Sequence, residues 1–513
     1  MRFLLTILAL TSTPLMAFAQ HQHAAGARLL QGLGGHHYTI TTTSPEAQRF
    51  FDQGLVLAYA FNHPEAKRSF DEAVRLDPSC AMCHWGVALV LGPNINATMD
   101  PAVNAEAYAA ARRALALAHN VSAKERALIE ALAQRYADPA PENRAGLDSA
   151  FARSMRDVVT RFPEDDDATV IHAESMMDLT PWVYWTKEKA PLPGTVEIVE
   201  ALERVMARNP NHPGACHYYI HAVEAAFPER AVACAERLAA LMPSAGHIVH
   251  MPAHIYLRVG RYDDAIRANE HAVHADETYL ADQRVQSFYT IAYYPHNYHF
   301  LAFAAIMAGR AARALEAARA AASKVPVDIA ATAPDLQLVI AYPHLTLATF
   351  GRVADVLREP LPRSDLRVAT GLAWYARGMA LAASRRLNDA RAALDTVRAT
   401  SAALTSYPAD PVLRIAERAL AAEIALRSRQ PSEAITLLRE AMEIEDGLTY
   451  MEPPYWHQPV RQLLGEALLA ANRPAEAEQL YREDLARFPR NAWSVRGLEK
   501  SRIAQKKKKR TED

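Results

Sequence analysis

The chain has 513 residues, 50% of them hydrophobic, and its 56 Lys+Arg against 58 Asp+Glu leave a formal net charge of −2. That length exceeds one compact core and suits several packed units or one extended solenoid. The even charge balance argues against nucleic acid as a partner, which would demand a basic face.

The N-terminus has the pattern of a secretory signal over residues 1–19. Arg2 supplies a positive start, residues 3–10 are apolar, and Ala17-Phe18-Ala19 fits a small-x-small cleavage site. The apolar run is too short to span a bilayer, and no later stretch supplies the roughly 18 apolar residues of a transmembrane helix. A periplasmic or secreted protein is expected, in a compartment where thiols tend to pair. Residues 20–44, with His21 and His23, read as a mostly disordered leader. Only residues 37–43 in that region have a strand-like period.

From residue 45 a helical pattern repeats. With Ala47 as position 1 of a 34-residue unit, Gly54 falls at 8, Ala66 at 20, Phe70 at 24, Ala73 at 27 and Pro78 at 32. Units counted from Gly246, Pro295, Gly371 and Gln458 repeat the small residues at 8 and 20, and weaker copies start near Asp166, Pro213 and Ile415. This resembles the tetratricopeptide repeat family, whose pattern wants small residues at 8 and 20, an aromatic at 24, Ala at 27 and Pro at 32. Small residues let the paired helices approach closely, and Pro stops the second helix. The resemblance implies an all-α solenoid of helix-turn-helix repeats with insertions. It divides into an array over 45–326, a second over 327–500, and a basic disordered tail over 501–513.

Within that frame, Ser122 and Glu125 form a capping-box pattern. Residues 180–195, with Trp182, Tyr184 and Trp185, read as an inserted loop, and residues 276–294 widen the spacing between two units. The dense basic run at 506–510 lies past the last helical pattern and reads as a solvated tail.

The middle of the chain is rich in histidine. His217 and His221 are four apart with Glu224 three further on, and His247, His250 and His254 follow the same one-face rule. The family resemblance places positions 2, 5, 9, 12 and 13 of each first helix on the concave surface. It thereby aims His217, His221, His247, His250, His254, His296 and His299 into one groove. Imidazoles with a carboxylate are ligands of Zn, Cu, Fe or Ni, with Zn or Cu foremost here. Glu224 is a candidate ligand or catalytic base, and Glu174 and Asp178 are further acidic candidates. The alternative is a set of histidines bonded to tyrosines and carboxylates, or facing a peptide.

Cys80-Ala81-Met82-Cys83-His84 matches the C-x-x-C-H signature of c-type haem attachment, with a disulfide or packed thiols as the alternative. Under the repeat resemblance Cys216 and Cys234 fall at positions 4 and 22 of one hairpin, where a disulfide would join its two helices. Three functions compete: a scaffold that takes a peptide or protein ligand in its groove, a metal-dependent protein or enzyme on the same scaffold, and a c-type haem protein.

Overall fold

The computed structural model describes residues 27–283 and 287–512 of the protein. The expected signal at 1–19, and His21 and His23, lie outside them. Among the described residues the chain is built of helices, and extended pairing is confined to two isolated bridges, Asn94 with Ala97 and Trp185 with Pro191. No helix among them is long and apolar enough to cross a membrane.

The helices pair as antiparallel hairpins, among them Pro45–Tyr59 with His63–Leu76, Tyr294–Met307 with Ala311–Lys324, and Val460–Ala470 with Pro474–Arg487. Local chemistry sets their ends. Ser44 accepts from the Ala47 amide and Asn62 from the Glu65 amide, so side chains satisfy donors that lack an intrahelical partner. Ser122 and Glu125 cap each other reciprocally, as their spacing predicts.

Aromatic wedges lock the hairpins together. A Cβ placed on Gly54 would lie 2.6 Å from the Phe70 ring, and one on Gly86 would lie 2.4 Å from it. Phe70 therefore fills the space between its own hairpin and the next unit. Tyr481 does the same between Gly465 and Gly497. Close packing of this kind makes even small volume changes costly.

First helices of successive units also stack, as Pro334–Thr349 does on Arg367–Ala383 and that helix on Ala409–Arg427. The result is an all-α solenoid, and its packing passes through residues 326–327 without a break. The array then returns on itself. Trp493 Nε1 donates to the Ile306 carbonyl at 2.9 Å, Arg490 to the Val259 carbonyl at 2.9 Å, and the rings of Phe303 and Phe488 lie 6.3 Å apart. The return brings the segment between residues 447 and 460 against the middle units, where Glu452 is buried 3.8 Å from Arg258.

Two expectations about the ends need correction. Residues 27–44 are not a loose leader: Leu33, Tyr38 and Ile40 are buried, the Thr41 amide and hydroxyl donate to Glu125 at 2.6 and 2.7 Å, and the Gly32 carbonyl accepts from the Ser244 amide. Three apolar side chains and a set of matched polar partners give this strap enough to bury and bond. The strand-like stretch at 37–43 is coil. At the other end the helix Ala492–Glu512 runs through the basic residues expected to form a disordered tail, because the last repeat extends its final helix by several turns.

Candidate metal centre

Three helical segments carry the central histidines. His217 and His221 lie one turn apart on Pro213–Val223, with Glu224 at its C-cap. His247 and His250 lie on Gly246–His250 and His254 on Pro252–Arg258, a helix pair interrupted where Pro252 lacks an amide donor. His296 and His299 lie on Tyr294–Met307.

Stacking of these segments gathers six imidazoles into two groups of three. His217, His221 and His247 form one group and His250, His254 and His296 the other, with the ligand atoms of each group within 4.8 Å of one another. His217 Nε2 lies 3.1 Å from both His221 Nε2 and His247 Nε2, and His250 Nε2 lies 2.9 Å from His254 Nε2. The sequence placed these rings in an open concave groove. Five are instead buried, with His217 and His250 at 0% exposure and His221, His247 and His254 at 2% or less, and His296 is half-buried. His299 joins neither group; its ring packs on Tyr342 with centroids 4.3 Å apart.

The other ring nitrogens fix the tautomers. His217 Nδ1 donates to the Tyr59 carbonyl at 2.5 Å. His221 Nδ1 and His254 Nδ1 donate to the two oxygens of Glu224 at 2.9 and 2.6 Å. His250 Nδ1 donates to Asn269 Oδ1 at 2.7 Å, and the Asn269 amide is oriented by its own bond to the Ala265 carbonyl. A neutral imidazole with a protonated Nδ1 has a bare lone pair at Nε2. With the rings neutral, the Nε2 lone pairs of His217 and His221 face each other at 3.1 Å, and those of His250 and His254 at 2.9 Å. Protonating the rings would relieve the contact, but burial and the neighbouring imidazoles push His217, His247 and His250 well below the ordinary imidazole value.

Among the described residues, Glu224 is the one carboxylate bonded to both groups. Burial pushes its carboxyl up, but His254 and His221 outweigh that and hold it at about 2. It is therefore an anion that orients one ring of each group and keeps both Nδ1 atoms protonated. This is the outer-shell arrangement that sets ligand tautomer in metal sites.

Aromatic rings close the surroundings. Phe61 lies 4.6 Å from His217, Trp182 4.9 Å from His221, Tyr293 4.6 Å from His247 and Phe300 4.5 Å from His254, centroid to centroid. The inserted loop at 180–195 thus reaches the centre through Trp182. The turn at 92–96 reaches its wall, since Asn96 donates to the Tyr293 hydroxyl. Sequence reasoning read Phe61 as core or rim packing and missed Asn269. Asn269 did carry a signal: it stands at position 24 of its unit, where the repeat wants an aromatic.

The acidic candidates go elsewhere. Asp178 pairs with the buried Arg135 guanidinium at 2.6 Å, and Glu174 bonds to Tyr218, with burial pushing its carboxyl up. Cys80 and Cys83 are joined to each other as a disulfide, and His84 Nε2 faces the Pro78 carbonyl at 3.2 Å. That corrects the haem reading, which needs both thiols for the porphyrin vinyl groups and the imidazole for iron. Cys216 and Cys234 are free and buried, so the expected disulfide between them is also corrected; both thiols lie against Met206 Sδ, at 4.0 and 3.1 Å.

Fold and site together define an α-solenoid of helical hairpins with a six-histidine centre, five of whose rings are buried. Residues 425–497 match the family model described as Tetratricopeptide repeat. No curated protein matches the chain. Among solved structures it is similar to yeast Tom70, with 13% identity over 91% of this chain and 90% of that one and a TM-score of 0.31. It is also similar to the human IFIT1 dimer with m7Gppp-AAAA, with 11% identity over 91% of each chain and a TM-score of 0.35.

Proposed function

We propose that this helical-repeat protein binds transition-metal ions, one in each group of three imidazoles. The observation that carries the reading is the pair of Nε2–Nε2 contacts between rings whose Nδ1 atoms are already committed as donors. Buried lone pairs held 3 Å apart repel, and a cation between them turns that repulsion into coordination. Ligand atoms about 2.0–2.1 Å from a tetrahedral ion stand roughly 3.3 Å from one another, near the spacing seen here. Three neutral imidazoles suit zinc and copper, and Glu224 acts as the anion that orients the ligands. Export to the periplasm or the outside of the cell belongs to this reading, supported by the signal pattern at residues 1–19 and by the Cys80–Cys83 disulfide.

The test is elemental analysis of the full chain, purified without an affinity tag after equilibration with zinc or copper and removal of free metal. Two ions per chain are expected, one per group, with His217→Ala and His250→Ala each losing one. A metal-free protein after that treatment sinks the proposal. The second reading is a peptide or protein ligand on the repeat surface, favoured by the repeat match over residues 425–497. Such a ligand would use the outer faces of the array, since the histidines are buried.

A further inference from the structure

We infer that the two imidazole groups form one two-ion centre, whose ions share a small oxygen-donor anion such as hydroxide. This rests on the metal-binding reading and goes beyond it, because two independent sites would satisfy that reading equally well.

The groups interlock. Within them, ring centroids lie 4.9 Å apart for His217 and His221 and 6.3 Å for His221 and His247 in the first, and 4.8 Å for His250 and His254 and 6.0 Å for His254 and His296 in the second. Across them, His221 lies 5.3 Å from His254 and His247 lies 5.9 Å from His250. With His217–His247 and His250–His296 each at 4.9 Å, the separations between groups fall between the shorter and the longer ones within a group. His247 and His250 are one helical turn apart yet serve different groups, and Glu224 binds one ring of each through its two oxygens. The two groups thus share one helical turn and one carboxylate.

Charge supplies the second argument. Two divalent ions would bring four positive charges into a buried space walled by neutral imidazoles and aromatic rings. The single carboxylate bonded to the ligands offsets one of them. Uncompensated buried charge is costly, and an anion between the ions removes much of that cost. The burial of the ligands restricts that anion to a few atoms. Two metals sharing a hydroxide hold a nucleophile or an exchangeable oxygen ligand at neutral pH.

The experiment is a copper(II) titration of the full chain, followed by spin counting in electron paramagnetic resonance. A shared bridge couples the two unpaired electrons, so a chain holding two copper ions should show far less than two spins. His296→Ala, which keeps the first group intact, should bind one copper and show one full spin. His217→Ala should do the same through the second group, and serves as the check if the first variant misfolds. Azide, a small bridging anion, should shift the absorption of the doubly loaded chain and leave both singly loaded variants unshifted. Two bound coppers with two full spins overturn the shared centre and leave the metal-binding reading standing. Fewer than two bound coppers overturns the two-ion centre, and a chain that takes up neither copper nor zinc overturns the metal-binding reading as well.

Discussion

Glu224 and Asp167 are both buried carboxylates that hold two imidazoles apiece, but they take different nitrogens. Glu224 accepts from the Nδ1 atoms of His221 and His254, which leaves both Nε2 atoms bare and aimed at other imidazoles. Asp167 instead faces Nε2 of His36 at 2.8 Å and Nε2 of His212 at 3.4 Å. His212 Nδ1 is itself occupied, accepting from the Ala215 amide as a helix cap. Its Nε2 therefore carries the proton, and lies 3.4 Å from Asp167 Oδ1 outside hydrogen-bond geometry. Both arrangements bring histidine and carboxylate atoms within 4.8 Å. Proximity alone does not separate them, whereas tautomer does: one set presents lone pairs to a common point, and in the other Asp167 is bonded to His36 and the Tyr59 hydroxyl, a clamp that fastens the N-terminal strap to the body.

The sharpest way to break this comparison is to remove each carboxylate's charge. Gln at position 224 keeps one acceptor and gains a donor, so one of His221 and His254 must lose its partner or turn over. Glu224→Gln is expected to weaken metal binding by about 10–100-fold, the usual cost of an outer-shell change. Asp167→Asn is expected to leave metal affinity unchanged within about twofold, because the clamp holds no lone pairs toward the centre. Competition titration against a chromophoric chelator measures both. Equal losses in the two variants would mean that the Asp167 cluster also serves the metal.

Much of the solenoid was legible because its signals are local and periodic. Gly54, Phe70 and Pro78 each report a packing need that recurs every 34 residues, and the i, i+3 and i+4 spacings put the histidines on one face. The structure brings His217, His221, His247, His250, His254 and His296 together. What could not be read was the state of that face. The return of the C-terminal units, carried by pairs such as Trp493 with Ile306, is a contact between residues 187 apart. No short window encodes it, and without it the inner face reads as an open groove. Asp178 was claimed for the centre on its register, but the distant Arg135 guanidinium takes it. The strap was missed for a related reason: Leu33, Tyr38 and Ile40 have no regular period, and their partners lie on other helices.

The clamp also makes a prediction about pH. Asp167 is buried, which pushes its carboxyl up, but His212 and His36 outweigh that and depress it below its ordinary 3.8. Its contribution to docking is therefore present above 3.8 and lost as pH falls through the lower folded value. Burial pushes His36 down, but the Asp167 carboxylate prevails and raises it above 6.5, so its contribution is complete below 6.5 and fades as pH rises through the folded value. Amide-exchange protection of residues 30–40, corrected for intrinsic rates, should peak between 3.8 and 6.5. Asp167→Asn should flatten that peak. A profile that is already flat in the unaltered protein would show that the strap is held by its apolar side chains alone.

The smallest effect concerns the backbone of the same strap. Gly34 has φ of +81°, and a Cβ there would lie 2.3 Å from the Leu241 carbonyl oxygen. Alanine would meet both the left-handed conformation and a backbone atom that cannot yield as a side-chain tip does. The left-handed conformation alone costs about 1–2 kcal/mol in a residue with a Cβ. The strap has no helical hydrogen-bond ladder of its own, so that cost should appear as local opening rather than global unfolding. Gly34→Ala is expected to speed exchange over residues 30–40 by about tenfold, the factor that corresponds to roughly 1.4 kcal/mol. The melting temperature of the body should stay within about 2 °C of the unaltered chain, since the affected segment opens on its own. A large fall in melting temperature would instead make the strap part of the cooperative core, and the Asp167 clamp would then stabilise the whole solenoid rather than fasten one segment to it.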